Sequence, residues 1–118
     1  MYFHWGRPRA VIAMAWFVLL LAGVFEIIWV LGLKIGVGLA RPWLTLLTLL
    51  AMALSVFLLE VAMRQLPVGT AYTVWVGIGA CGAVLAGAIW FGETLDGVRV
   101  LCLMCVVGGI VGLKLTSA

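Results

Sequence analysis

The sequence predicts an all-α membrane protein with four transmembrane helices per chain. Two observations carry that prediction. Hydrophobic residues make up 67% of the 118 positions and charged residues only 9%, against ~45–50% and ~25% in a soluble domain. Eleven charges cannot clothe a soluble surface of this size, and so apolar a chain is not disordered. The second observation is that the apolar residues fall in four continuous runs rather than in alternating ones, which argues against a β-barrel.

Each run is long enough to span a membrane, or nearly so. A helix adds ~1.5 Å per residue, so ~20 residues cross ~30 Å of hydrocarbon. Met14 to Leu33 is such a run, broken only by Glu26. Pro42 to Leu59 and Leu66 to Gly92 carry no charge at all. Val100 to Leu113 is shorter and completes a span if it begins near Gly97 with Arg99 snorkelling to the interface. Helices are therefore expected near 14–34, 43–63, 68–91 and 97–115. Gly36-Val37-Gly38 before Arg41-Pro42, then Gln65-Leu66-Pro67, then Gly92 to Gly97 mark the turns. None of these loops can hold a soluble domain. Residues 1–13 are expected to be an N-terminal extension outside the core, with 14–118 forming the membrane domain. The aromatics, two arginines and proline of residues 1–9 fit an interfacial anchor, an upstream start or an added segment.

Lys and Arg are scattered singly, so no nucleic-acid surface is expected. Cys102 and Cys105 match C-x-x-C, but no second pair or His cluster accompanies them; they read as small apolar filler, with no metal or cofactor. Arg7, Arg9, Arg64 and Lys114 share one side of the four-helix topology, and Lys34, Arg41 and Arg99 the other. Lys/Arg bias sets orientation. Here it is nearly balanced, which predicts insertion in both orientations.

Glu26 is the central clue. It lies midway along the first run, where a carboxylate costs ~2.5–3.5 kcal/mol on insertion scales. It either bonds a neighbouring helix in protonated form or exchanges a proton for a cation. Gly23 and Trp29, three residues to either side, and Ala22 and Val30, four to either side, share its helical face. Trp29 reads as a wall of the site with an N–H donor, or as a belt residue at the membrane interface. Ser55, in an otherwise apolar stretch, either bonds its own backbone or partners Glu26. Tyr72 and Trp75 share a face at i, i+3 and either line a cation site or sit at the interface. Gly77 and Gly79 weaken the interior of the third helix and invite a bend. Gly108 and Gly112 fit the small-xxx-small packing pattern. Glu60, four residues before Arg64, is either half of an interfacial ion pair or a second transport carboxylate. Transport rather than catalysis is expected. A midplane site normally needs two related halves, and no internal repeat is evident, so one chain supplies half.

The runs Gly23-Val24-Phe25-Glu26-Ile27-Ile28-Trp29, Leu66 to Tyr72, Trp75 to Gly79 and Gly112 to Ser117 resemble the small multidrug resistance family, in its guanidinium-exporting subtype. The resemblance covers Met14 to Ala118. It implies a multi-pass protein of the bacterial plasma (inner) membrane, working as an antiparallel homodimer that exchanges protons for guanidinium. Some members work as pairs of different chains. It further implies that Glu26 binds proton or substrate, that Trp29 and Ser55 hydrogen-bond and orient that carboxylate, and that Tyr72 and Trp75 line the site. Gly77 and Gly79 would form a bend that lets identical chains adopt different shapes. Thr73, Val76 and Glu60 depart from the usual family residues.

Overall fold

A computed structural model describes residues 8–36 and 41–117. They form α1 (Arg9–Ile35), α2 (Pro42–Met63), α3 (Val68–Trp90) and α4 (Gly97–Ser117), and all four are long and apolar enough to cross a membrane. Outward faces are largely apolar: Leu46, Leu50, Leu54 and Phe57 of α2 are exposed. That is the arrangement a lipid solvent selects, because hydrocarbon satisfies apolar side chains and only internally bonded backbone survives there.

Local chemistry sets the helix ends. Gly36, at φ 101°, closes α1 and returns its N–H to the Gly32 carbonyl at 3.3 Å; the backbone there is left-handed, which glycine adopts without a Cβ penalty. Pro42 opens α2 at a position where the missing N–H costs nothing. Pro67 prevents α2 from running on and starts α3, with Ala71 N–H on its carbonyl at 3.0 Å. Asp96 Oδ1 accepts the Arg99 N–H at 3.0 Å and caps α4. The first helix begins at Arg9, ahead of the expected residue 14. Hydropathy marks where hydrocarbon begins, whereas the backbone bonds of Val11 and Ile12 to the Pro8 carbonyl carry the helix outward. Residues 1–7, and Val37 and Gly38 of the first turn, lie outside the described residues.

The helices run alternately up and down. Gly32 meets Thr48 near one end of α1, and Ala22 meets Ser55 further along, so α2 is antiparallel to α1. Gly23 meets Ile78, Glu26 meets Gly79 and Ile27 meets Gly82, so α3 is parallel to α1. The core joins Ala15, Trp16, Leu19 and Ala22 of α1 to Leu59 and Ala62 of α2 and to Ala71 and Val74 of α3. Helix α4 packs chiefly on α3, its Ile110 and Leu113 lie against the core, and Lys114 Nζ stands 5.2 Å from the centre of the Trp16 ring on α1. The bundle measures 51 × 36 × 20 Å along its principal axes.

Candidate functional site

Small residues on α3 let α1 approach closely enough to bring Glu26 against its backbone. The Glu26 carboxyl occupies the place a Cβ on Gly79 would take, and Ile27 does the same at Gly82. Gly77, two residues away, faces the other side of α3, where Ile110 and Val106 of α4 fill its missing side chain. Helix α3 is assigned as one helix from Val68 to Trp90. Here the two glycines provide clearance, one toward α1 and one toward α4.

Beside this contact a polar chain crosses three helices. Trp75 Nε1 on α3 donates to Ser55 Oγ on α2 at 3.0 Å. Ser55 Oγ in turn donates to the Ala22 carbonyl on α1 at 2.7 Å. Ser55 is fully buried, and its hydroxyl carries a single proton. That proton goes to Ala22, so the expected bond from Ser55 to the Glu26 carboxylate is not made, and neither is a bond to the serine's own helix. The Ala22 carbonyl is the one that receives the Glu26 N–H in an α-helix. Ser55 therefore ties down the turn of backbone that carries Glu26. The Tyr72 ring lies 5.7 Å from that of Trp75, tilted by 45°, and is half exposed toward the groove between α3 and α4.

Among the described residues, two buried side-chain polar atoms lack a hydrogen-bond partner, and both belong here: Glu26 Oε1 and Trp29 Nε1. The expected Trp29–Glu26 bond is thus not formed. An acceptor and a donor each left unpaired cost about 1–3 kcal/mol, and such groups point to function when they cluster. The other carboxylates are all engaged. Glu60 takes Arg64 bidentately, Nε to Oε2 at 2.9 Å and Nη2 to Oε1 at 3.0 Å. Glu93 pairs with Lys34, and Asp96 caps α4. Glu26 alone among them keeps a buried oxygen free for a proton or a cation.

A Cβ added at Gly108 or Gly112 would meet nothing within 4 Å, so the face they form on α4 is uncovered within one chain. Sequence reasoning missed the Ala22 carbonyl, which no residue identity could flag. It read Gly77 and Gly79 as a bend and did not see the room that Gly79 gives the Glu26 carboxyl. The spacing Gly79-x3-Ala83-x3-Gly87 was the available signal for a smooth face on α3.

The profile of the Small Multidrug Resistance protein family matches residues 14–106. A guanidinium exporter of Yersinia pseudotuberculosis serotype I is 50% identical over 104 residues, 88% of this chain and 100% of that protein. A guanidinium exporter of Citrobacter freundii is 48% identical over 88% of this chain and 99% of its own length. One from Salmonella typhimurium strain LT2 is 46% identical over the same shares.

Proposed function

The chain belongs to the Small Multidrug Resistance protein family, and from that membership we propose that it exports guanidinium ion and small guanidinyl compounds in exchange for protons. The observation that carries the reading is the buried, unpartnered Glu26 Oε1, set on Gly79 in a chain whose relatives are named guanidinium exporters. Guanidinium is planar and weakly hydrated, and its N–H fork matches both oxygens of a carboxylate. Glu26 holds either that ion or a proton, never both, and this exclusion couples the two flows. Trp29 presents its ring and N–H on the same face of α1. Trp75 and Ser55 hold the backbone of α1 in place, and Tyr72 extends the aromatic wall. The cycle makes and breaks no covalent bond other than to hydrogen, so the protein is a carrier rather than an enzyme.

The transporting unit comprises residues 14–118 with the first turn of α1, whose Ile12 packs against the core, in a bacterial plasma membrane. Helix α4 packs chiefly on α3 and leaves the face of Gly108 and Gly112 open, which supports a second copy completing the path. An antiparallel pair supplies the two related halves that alternating access requires, with α4 and its Gly108–Gly112 face as the packing surface.

The test is guanidinium-driven proton movement in liposomes. The wild-type chain is expected to acidify or alkalinise the lumen according to the direction of the guanidinium gradient. Glu26→Gln, nearly the same shape and cheaper to bury, is expected to insert and drive no coupled flux. Wild-type coupling in that variant would place the exchange site elsewhere.

A further inference from the structure

The seam between α1 and α3 repeats its construction. At one level the Glu26 carboxyl stands over Gly79; further along, the Glu93 carboxyl stands over Gly87 in the same way, filling the space of the absent Cβ. Gly79 and Gly87 are eight residues apart on α3, and Glu26 and Lys34 are eight apart on α1. The helices are parallel, so the two levels lie about 12 Å apart along the seam. The second carboxylate is held by the turn that ends α3. Gly92, at φ 64°, folds the chain back, and the Glu93 N–H reaches the Gly87 carbonyl at 3.1 Å.

This second level already holds a cation. Lys34 Nζ lies 3.6 Å from Glu93 Oε2 and 5.8 Å from the centre of the Phe91 ring. A carboxylate beside an aromatic ring is a cation site in miniature. It opens on a cavity of ≈ 190 Å³ lined also by Val30, Leu31 and Ala83, against ~30 Å³ for one water molecule in the liquid. Both charged side chains are about half exposed, so the pair is weakly held and Lys34 can swing into water.

We propose that Glu93, Phe91 and Gly87 form a second station for a small planar organic cation, at the end of the seam, with the Lys34 ammonium as its tethered occupant. The proposal rests on the reading of Glu26 as the site for guanidinium. A guanidinium group engages both oxygens of Glu93 through its fork and lays its face on the Phe91 ring; an ammonium is a point charge without that planar match. Glu93 then receives the cation that Glu26 releases toward this side, and Lys34 returns to the carboxylate when the cation departs.

Equilibrium dialysis of labelled guanidinium against the purified full-length protein separates the two levels. The difference between wild type and Glu26→Gln reports the first. The second is read within the Glu26→Gln chain, where Lys34→Gln removes the tethered competitor and is expected to strengthen residual, saturable binding about tenfold. Adding Glu93→Gln should abolish that binding. Adding Gly87→Ala, which keeps every charge but puts a methyl group where the carboxyl stands, should weaken it by a similar factor. Binding that never emerges in the Glu26→Gln/Lys34→Gln chain, or that survives Glu93→Gln, overturns the station. Binding indifferent to Gly87→Ala also overturns it, by reducing Glu93 to a bare surface charge. If binding depends on Glu26 and not on Glu93, the station fails and the exporter reading stands. Dependence on Glu93 alone would retain a cation site and remove the exporter reading; dependence on neither removes both.

Discussion

The Ser55 hydroxyl receives a hydrogen bond from Trp75 and gives one to Ala22, and it has no exposed surface. Ser55→Ala strands the indole N–H and loosens the carbonyl above Glu26, at a cost of about 1–3 kcal/mol. The expected outcome is a lower melting temperature in micelles together with weaker guanidinium binding. Ser55→Thr keeps the hydroxyl and is expected to retain more of both. Glu26 itself predicts a pH dependence. On the proposed exchange, protons and guanidinium compete for this one carboxylate; proton occupancy rises as pH falls, so apparent guanidinium affinity should weaken on acidification. Tryptophan fluorescence titrations at several pH values would check this; an affinity independent of pH would separate proton from substrate binding. Glu26 stood out in the sequence because a carboxylate deep in an apolar run has few structural uses. The bonds of Ser55 did not, because they depend on the relative register of α1, α2 and α3, which no residue in α2 encodes.

At the level of the helix, α3 separates two tasks by a shift of two residues. Gly79 faces Glu26 on α1, and Gly77 faces Ile110 and Val106 on α4. Alanine at each position therefore has a different expected consequence. Gly79→Ala puts a methyl group into the Glu26 carboxyl and should weaken guanidinium binding about tenfold with little loss of helix, since alanine is the better helix former by ~1 kcal/mol. Gly77→Ala pushes on the Ile110 side chain and should cost about 1–3 kcal/mol by overpacking unless that side chain re-orients, with binding spared. Gly69→Ala, which meets nothing within 4 Å, is the neutral control. Dialysis and thermal melts on the three variants distinguish these outcomes; equal loss of binding at 77 and 79 would favour a shared hinge. The four helices themselves were readable from apolar length, and three of their ends from Gly36, Pro42 and Pro67. The start of α1 was not, because its first turn lies beyond the apolar run.

At the scale of the whole molecule, α4 is the least covered helix. No described side chain of α4 is buried, and grooves of ≈ 610 Å³ and ≈ 460 Å³ flank it, the first lined by Tyr72, Cys105 and Ile110 and the second by Leu85, Met104 and Gly108. Lipid chains can cover these grooves, but packing helix against helix over Gly108 and Gly112 brings backbones closer than lipid can follow. A second copy is the partner this geometry suits, and the charges speak to its orientation. Among the described residues, Arg9, Arg64 and Lys114 lie at one end of the bundle and Lys34, Arg41 and Arg99 at the other. With no bias to hold one face inside, single chains should insert both ways and pair antiparallel. The measurement is labelling of a single introduced cysteine in the turn at Thr94, in a chain from which Cys81, Cys102 and Cys105 have been removed. An impermeant thiol reagent added to intact cells should modify about half of the chains, and a permeant one the rest. Moving the cysteine to Gln65, at the opposite end, should give the same division, whereas a fixed topology would give full labelling at one position and none at the other. That result would end the antiparallel homodimer and require a different chain, inserted the other way, to complete the transporter.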